Sequence, residues 1–351
     1  MSFFRSFSRP VAAAACVLGL AAASAQAAPR FRIVDLGLAE SPYPSAVAAL
    51  NRAGVAVGSE LAAGGLKCAV YDHGTVTMLQ TVEGADCFVG GINDAGAIVG
   101  SFSLPGGGGA THAFAWRDGV MQDMGTYPGY EFSGAVGIND HGAIVGNSAD
   151  GIHNKVFVYR NGLFRQIPVP SGGVNIYAGG INEHGDITGT VQQTTDHLHA
   201  FVYRDGASVD LGTLGNFYNG ESAGIAINDR GQVAGWSSGN GFRSHAILVT
   251  DGQMQDLGTI PPDDPFATSV ATGIDQRGWV VGVSDDGGGN TFAFLFDGKE
   301  TLDLDMLLDK RTRSAWHLLS AQSINKSGEI TGMAMSLEDG AEHVFLATPV
   351  H

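Results

Sequence analysis

A nine-residue phrase that recurs seven times constrains this chain more than any other feature of its sequence. Each copy has an aliphatic residue, an asparagine, a turn that ends in glycine, and an apolar run that ends in a second glycine, as in Ile92–Gly100. Successive copies are 42 to 50 residues apart. The asparagine position, which is aspartate once, falls at Asn51, Asn93, Asn139, Asn182, Asn228, Asp275 and Asn325. Self-similarity at such a period indicates a repeat architecture, in which each unit is one supersecondary structure.

A second phrase follows each copy and completes the unit. It is clearest as His112–Gly119 followed by Met121–Gly125, and it returns from His199 and from His245. Asparagine, aspartate and glycine tolerate the backbone of tight turns, so both phrases predict hairpins. The middle of the second phrase is apolar at successive positions, which indicates a strand that is buried on both faces. Each unit is therefore expected to hold four short antiparallel strands.

Seven units of four strands predict an all-β protein, a seven-bladed β-propeller. The last unit stops after its third strand, His343–Thr348, whereas Phe31–Gly37 has the sequence of the missing fourth strand. We expect these two segments to pair and close the ring, because pairing covers two open sheet edges. The expected organisation is a single propeller domain over residues 28–351.

The first 27 residues have the pattern of a secretory signal peptide. Arg5 and Arg9 precede the apolar run Val11–Ala23, and Ala25 and Ala27 form a small-residue cleavage site. The protein is therefore expected to be exported, as a secreted, periplasmic or cell-surface protein. No segment reaches the roughly 18 apolar residues that a spanning helix needs, so the chain is not expected to span a membrane.

The charge balance argues against polyanionic partners. The chain has 19 basic and 35 acidic residues, a net charge of −16, and loss of Arg5 and Arg9 with the leader brings it to −18. Such a surface repels nucleic acid and anionic membranes, and it favours solubility, cations or basic partners.

Two cysteines remain after the predicted cleavage. Cys68 and Cys87 lie in adjacent units, so they are compatible with a disulfide if their strands are close. Two buried free thiols are the alternative, and both states are compatible with an oxidising compartment.

The two alternating phrases resemble those of the HAF repeat family, probable extracellular repeat proteins named for a His-Ala-Phe triplet. The triplet is literal at His112–Phe114 and His199–Phe201, and it is modified from His245 and from His343. The resemblance covers essentially the whole mature chain. It implies a repeat fold and a secreted or cell-surface setting, and it implies no particular activity.

The repeat also separates structural from functional candidates. The histidines of the triplet occupy one repeat position, so they would lie around a ring and too far apart to share an ion. We expect them to be hydrogen-bonding groups at strand starts. The sequence Gly220–Gly224 matches the nucleophile elbow of hydrolases, but a strand and not a helix is expected to follow it, which favours a structural serine at Ser222.

The loops that vary between units are expected to project from one end of the ring and to carry any binding site. Aromatic residues precede the innermost strand in most units, and they could stack on sugars or hold a peptide. These candidate ligand-binding residues are Tyr43, Tyr130, Tyr177, Tyr218, Phe266 and Trp316. The alternative is that they seal the ends of the blades.

Two further sets of loop residues are candidates for metal binding and for proton transfer. Asp263, Asp264, Asp285 and Asp286 could hold calcium, since Ca²⁺ prefers carboxylate oxygens, but solvated loop acids are the alternative. Asp196 and His197 adjoin the loop of His153 and could transfer protons.

Two functional hypotheses follow from these patterns. The first is a monomeric binding or scaffold propeller without a cofactor, whose ligand is a saccharide or a peptide on the variable loops. The second is an enzyme that degrades polysaccharides or esters with carboxylates and histidines on the same loops. The absence of an acid–base pair within a known motif favours the first hypothesis.

Overall fold

The computed structural model describes residues 30–38, 47–62, 65–194, 197–214, 220–238, 243–262 and 264–350. The predicted signal peptide lies outside the described residues. Within them the chain forms seven antiparallel sheets of four strands each. The predicted seven-bladed propeller is confirmed.

Each blade runs from an innermost strand at the central channel to an outermost strand at the rim. The innermost strands are β2 Val47–Leu50, β6 Cys87–Ile92, β10 Phe132–Ile138, β14 Gly173–Ile181, β18 Ser222–Ile227, β22 Thr268–Ile274 and β26 Trp316–Ile324. The second strands are β3 Ala56–Ala62, β7 Ile98–Ser103, β11 Ile144–Ala149, β15 Ile187–Gln193, β19 Val233–Ser238, β23 Val280–Asp285 and β27 Ile330–Ser336.

The two outer positions complete each sheet. The third strands are β4 Gly65–Asp72, β8 Thr111–Arg117, β12 Asn154–Arg160, β16 Leu198–Arg204, β20 Ser244–Thr250, β24 Thr291–Phe296 and β28 Glu342–Val350. The outermost strands are β5 Thr75–Met78, β9 Val120–Gly125, β13 Leu163–Gln166, β17 Ala207–Gly212, β21 Gln253–Asp256, β25 Thr301–Asp303 and β1 Arg30–Leu38. A 3₁₀ turn at Leu304–Leu307 and a short helix at Lys310–Arg313 connect β25 to β26.

The ring closes as the sequence predicts. Strand β1 pairs antiparallel with β28, and Ile33 lies opposite Ala347. The last blade has the strand order β1-β28-β27-β26, so its outermost strand comes from the beginning of the domain. Phe31 is buried against Leu304 and Leu308, which attaches the closing strand to the core as well as to the sheet.

The repeated asparagine joins neighbouring blades around the channel. Each Asn side chain folds over its own hairpin turn; in Asn182, Oδ1 accepts hydrogen bonds from the backbone N–H of His184 and Asp186. Its Nδ2 donates to the carbonyl oxygen of Asn228 in the next blade, at 3.0 Å. Six of the seven positions make this bond to the next blade, and the exception is Asp275, which has no amide to donate. Asp275 is buried and pairs with Arg277 at 2.7 Å instead.

The third strand supplies the core of each blade. Phe201 is fully buried, and its ring lies over Gly189 of the second strand. A Cβ at Gly189 would come within 1.9 Å of the carbonyl oxygen of Tyr177, so this position requires glycine. Equivalent pairs explain why phenylalanine and glycine recur together in the sequence.

A buried serine fastens each of three blades to its neighbour. Ser222 accepts a hydrogen bond from the backbone N–H of Ala200 and donates to the carbonyl oxygen of Gly212. Ser133 and Ser269 make the same two bonds. Ser222 is thus a fully buried structural residue, and the strand β18 runs through it where a nucleophile elbow would need a turn and a helix.

Cys68 and Cys87 form a disulfide that links the first two blades. Cys68 lies on β4 and Cys87 on β6, with their Cα atoms 5.3 Å apart, and both are fully buried. Among the described residues, no helix combines the length and the apolarity that crossing a membrane requires.

Candidate functional site

The strand order gives the ring two different ends. The hairpins between first and second strands, and between third and fourth strands, lie at one end, which we call the turn end. The loops between second and third strands, and between blades, lie at the other, which we call the loop end. Of the candidate ligand-binding residues that the structure describes, Tyr130 and Phe266 precede their innermost strands at the loop end, and Trp316 begins β26 there. Tyr177 lies within β14, so the prediction that it precedes the innermost strand is wrong.

The histidines of the repeated triplet are paired with aspartates of the outermost strands. His112 Nδ1 lies 3.0 Å from Asp123, and His199 Nδ1 lies 2.9 Å from Asp210. The same pair forms between His245 and Asp256 and, across the ring closure, between His343 and Asp35. The hydrogen bond that His245 donates to the Asp256 carboxylate raises the pKa of His245. These pairs fasten the third strand to the fourth in four blades.

The aspartate partners could have been found in the sequence. In three units the histidine and the Asp of Asp-x-Gly recur together at a constant separation of 11 residues. Co-occurrence at a fixed spacing on adjacent strands is the signal of a cross-strand pair.

The four described aromatic candidates lie at separate blades. Tyr130 packs edge to face on Tyr127, with ring centroids 5.9 Å apart. Tyr177 shares a hydrogen bond of 3.2 Å with the side chain of Asn154. Trp316 packs edge to face on His343, with centroids 4.9 Å apart. Tyr43 and Tyr218 lie outside the described residues.

Phe266 is the most exposed of the described aromatic candidates. Its side chain and backbone are 59 % exposed, and the guanidinium of Arg243 lies 5.3 Å from its ring centroid. Arg243 Nη1 also donates to the carbonyl oxygen of Phe266, and the N–H of Phe266 donates to Asp264. The ring is therefore presented to solvent from a backbone that is fixed on two sides.

The loop acids that could hold calcium are engaged in their own turns. Asp264 accepts from the N–H of Phe266, and Asp285 from the N–H of Gly287. Asp286 accepts from the side chain of Asn290 and from two backbone N–H groups, which lower its pKa. Asp263 lies outside the described residues. Within the described part of the chain, no three His, Cys, Asp or Glu side chains form a metal-binding group.

The residues of the proton-transfer hypothesis are only partly described. His153 Nδ1 lies 3.0 Å from Asp150 Oδ2, and the backbone N–H groups of Ile152 and His153 also donate to Asp150. The bonds from His153 and Ile152 lower the pKa of Asp150 to about 2. Asp196 lies outside the described residues, so its pairing with His197 or His153 stays a prediction.

The turn end carries a charged ring that the sequence analysis did not identify. A channel of about 160 Å³ opens here, and the residue after each repeated asparagine lies at its mouth. Backbone N–H groups link these residues in sequence: Asp94 donates to Asp140, and Asp140 donates to Glu183. Four acids, Asp94, Asp140, Glu183 and Asp229, lie in this ring.

Lys326 from the last blade neutralises part of this ring. Its Nζ lies 2.8 Å from Asp140, 3.2 Å from Glu183 and 3.7 Å from Asp94, which belong to three other blades. Burial alone would raise the pKa of Asp140, but hydrogen bonds from Lys326 and from the Asp94 N–H outweigh it and lower this pKa to about 2. The sequence could not show this contact, because it depends on closure of the ring and on a lysine found in one unit only.

Comparison with solved structures shows the fold. The β-propeller domain of the Trilobed protease from Pyrococcus furiosus, which has an open velcro topology, aligns over 73% of this chain and 82% of its own with a TM-score of 0.52 and 13% identity. A puromycin-hydrolyzing peptidase from Mycobacterium tuberculosis aligns with a TM-score of 0.53 and 12% identity, and a puromycin hydrolase with 0.56 and 12%.

These similarities cover only part of the two puromycin-hydrolysing chains. The alignments cover 88% of this chain but only 55% and 52% of the two puromycin-hydrolysing chains, so this chain spans about half of their length. No protein-family model and no curated protein matches the sequence. The protein is therefore defined by its fold class, the seven-bladed β-propeller.

Proposed function

We propose that this protein is an exported binding propeller that captures a saccharide or a peptide at its loop end. The observation that carries the proposal is the presentation of Phe266. Phe266 is more than half exposed, and hydrogen bonds that fix its backbone in the loop keep the ring available for contact.

The surroundings of Phe266 support a role in contact with a ligand. Arg243 lies over one part of the ring, and Gly287 from the neighbouring loop packs so closely that a Cβ there would come within 2.6 Å of the Phe266 Cβ. Rigid aromatic side chains beside an arginine are typical of the residues that dominate binding surfaces, because they give area at small entropic cost.

A second group at the loop end has a similar character. Tyr127 and Tyr130 pack on one another, and Asp150 with its partner His153 lies beside them. Burial, together with the charge of Asp150, raises the pKa of the Tyr130 hydroxyl. Like any tyrosine hydroxyl at neutral pH, it can donate a hydrogen bond. Aromatic rings with adjacent donors and acceptors suit both sugar hydroxyls and peptide groups.

The repetition of the paired histidines indicates that their role is structural. Four histidines that could act as general bases are held by aspartates at one repeat position, where they connect strands. The likeness to puromycin-hydrolysing chains concerns the fold alone, so it adds nothing to the hypothesis of an enzyme.

The same proposal includes the cellular location of the protein and its family. The predicted signal peptide and the disulfide between Cys68 and Cys87 support an oxidising compartment outside the cytoplasm. The His-Ala-Phe triplets support membership of the HAF repeat family. We expect the mature protein to act as a monomer.

The proposal is tested with glycan and peptide arrays, probed with the mature protein and followed by titration of the best ligand. Phe266→Ala should weaken binding at least tenfold, because it removes an exposed contact without touching the core. Leu163→Ala is the matched control, since Leu163 is 73 % exposed but lies on the outermost strand β13. Equal binding by the wild type and Phe266→Ala, or no ligand on either array, would overturn the proposal.

A further inference from the structure

The seven interfaces between blades are built from equivalent residues, which makes an unusual interface easy to recognise. One side chain of each third strand belongs to the same hydrophobic cluster as a side chain at the next position of the neighbouring blade's third strand. These pairs are Val70 with Trp116, Ala115 with Tyr159, Val158 with Tyr203, Val202 with Val249, Leu248 with Phe296, Leu295 with Ala347, and Leu346 with Tyr71. The interface between the second and third blades alone has alanine as the first member.

The same blade has a second small residue where the last four blades have a large one. Ala97 follows the hairpin glycine, at the position of Asp186, Gln232, Trp279 and Glu329 in those blades, of Val55 in the first blade and of Ala143 in the third. Ala97 and Ala115 together leave a cleft of about 460 Å³ between the second and third blades at the turn end. Its volume lies within the range of small-molecule sites, which is about 300–1,000 Å³.

An arginine at this cleft lacks the carboxylate that its equivalent has. In the fourth blade, Arg204 pairs with Asp186 at 2.9 Å. In the second blade Arg117 takes the place of Arg204, and Ala97 takes the place of Asp186. The third blade has Arg160 and Ala143 at these positions, but Arg117 lines the cleft and Arg160 does not. Among the described residues, Arg117 forms no salt bridge.

The remaining lining defines the chemistry of a ligand. Tyr159 supplies an aromatic wall, and Gln122 and Asn161 supply amide groups at the rim. No residue that lines the cleft carries a carboxylate, although the whole chain has a net charge of −16. A guanidinium favours an anion, the aromatic wall favours the face of a ring, and the amides suit hydroxyl groups.

We propose that this cleft binds an acidic sugar, a pyranose ring that carries a carboxylate. The carboxylate pairs with Arg117, the ring packs on Tyr159, and the hydroxyls meet the rim amides. The site is at the opposite end of the ring from Phe266, so it is independent of the function proposed above.

Calorimetric titration of the mature protein with sodium D-glucuronate tests the proposal, with D-glucose and sodium acetate as reference ligands. We expect saturable binding of glucuronate that is at least tenfold tighter than that of glucose or acetate. Absence of saturable binding, or equal binding of either reference ligand, would overturn the assignment.

Three variants locate the site. Arg117→Gln should weaken glucuronate binding about tenfold or more, because it removes a charge-assisted hydrogen bond. Ala115→Val should also abolish or strongly weaken it by filling the cleft, and the fold tolerates valine beside tyrosine, as Val158 beside Tyr203 shows. Arg160→Gln, at the equivalent position of the third blade, should leave binding unchanged.

Each variant result either supports or contradicts the proposal. Thermal unfolding of Arg117→Gln and Ala115→Val must match that of the wild type within a few degrees for their titrations to be compared. Full affinity in a folded Ala115→Val, or equal losses in Arg117→Gln and Arg160→Gln, would show that glucuronate binds elsewhere. Phe266→Ala should have no effect on this titration.

Discussion

The turn end and the loop end of the ring are made from the same strands, but their side chains differ in how they repeat. At the turn end, asparagine joins six of the seven blades to the next through the same hydrogen bond. At the loop end, Tyr130, Tyr177, Phe266 and Trp316 each have different neighbours. A residue that recurs in most blades stabilises the ring. A residue that differs between blades is a candidate for ligand recognition.

The largest expected difference in stability is between a variant in the core and a variant at the loop end. Phe201→Ala should lower the free energy of unfolding by about 3–5 kcal/mol, because it leaves a cavity at a fully buried position. Phe266→Ala should change it by less than about 0.5 kcal/mol. Denaturant unfolding of both variants measures the difference, and equal losses would remove the distinction between repeated and variable residues.

The disulfide is the next largest expected contribution. Cys68 and Cys87 are 19 residues apart in the chain, and closure of a loop of this length stabilises by about 3 kcal/mol. The free energy of unfolding of the double variant Cys68→Ala/Cys87→Ala should be lower by about this amount. In a reducing buffer the wild-type protein should be no more stable than the double variant. If a reductant leaves the wild-type unfolding midpoint unchanged, the two thiols are not bridged in solution.

Replacement of the buried Ser222 should have a smaller effect on stability. It also distinguishes a structural role of this serine from a catalytic one. Ser222→Ala leaves the Ala200 N–H and the Gly212 carbonyl without their partner, which should cost about 1–3 kcal/mol. Ser327→Ala, on an exposed turn, is the control and should cost almost nothing. A loss of any hydrolytic activity in a stable Ser222→Ala protein would contradict the structural role.

Those parts of the fold that repeat in several blades could be predicted from the sequence. The turns at Asn-x-x-Gly, the buried Phe201 and the pairing of β1 with β28 follow from patterns that occur several times, so each copy supports the others. The partners of His112 and His199 had a usable signal in the constant spacing to aspartate.

Contacts made once could not be predicted in this way. Lys326 meets Asp140 and Glu183 only because the ring brings the last blade opposite the third and fourth. The cleft beside Tyr159 exists because the side chains of Ala97 and Ala115 are small. In a sequence rich in alanine and glycine, two further alanines do not stand out as the lining of a site.

The Lys326 contact predicts the smallest effect on stability. Lys326→Met should cost about 1 kcal/mol at neutral pH, because the pairs are partly exposed and screened. The pKa of Asp140 is lowered to about 2 in the folded protein, so its contribution is present above its ordinary value of 3.8 and is lost as the pH falls towards 2.

Thermal unfolding between pH 5 and pH 2 therefore distinguishes the two proteins. The wild type should lose more stability than Lys326→Met as the pH falls through this window, and the gap between them should narrow at high salt. Parallel curves at every pH would show that Lys326 does not stabilise the carboxylate of Asp140.

Hydrogen exchange with the array ligand whose binding Phe266→Ala weakens tests the central claim most directly. The account predicts that the ligand slows amide exchange in the loop-end segments 126–131, 150–153 and 264–268 and leaves the seven asparagine turns unchanged. Protection confined to those turns would contradict it, because the repeated residues would then carry the binding.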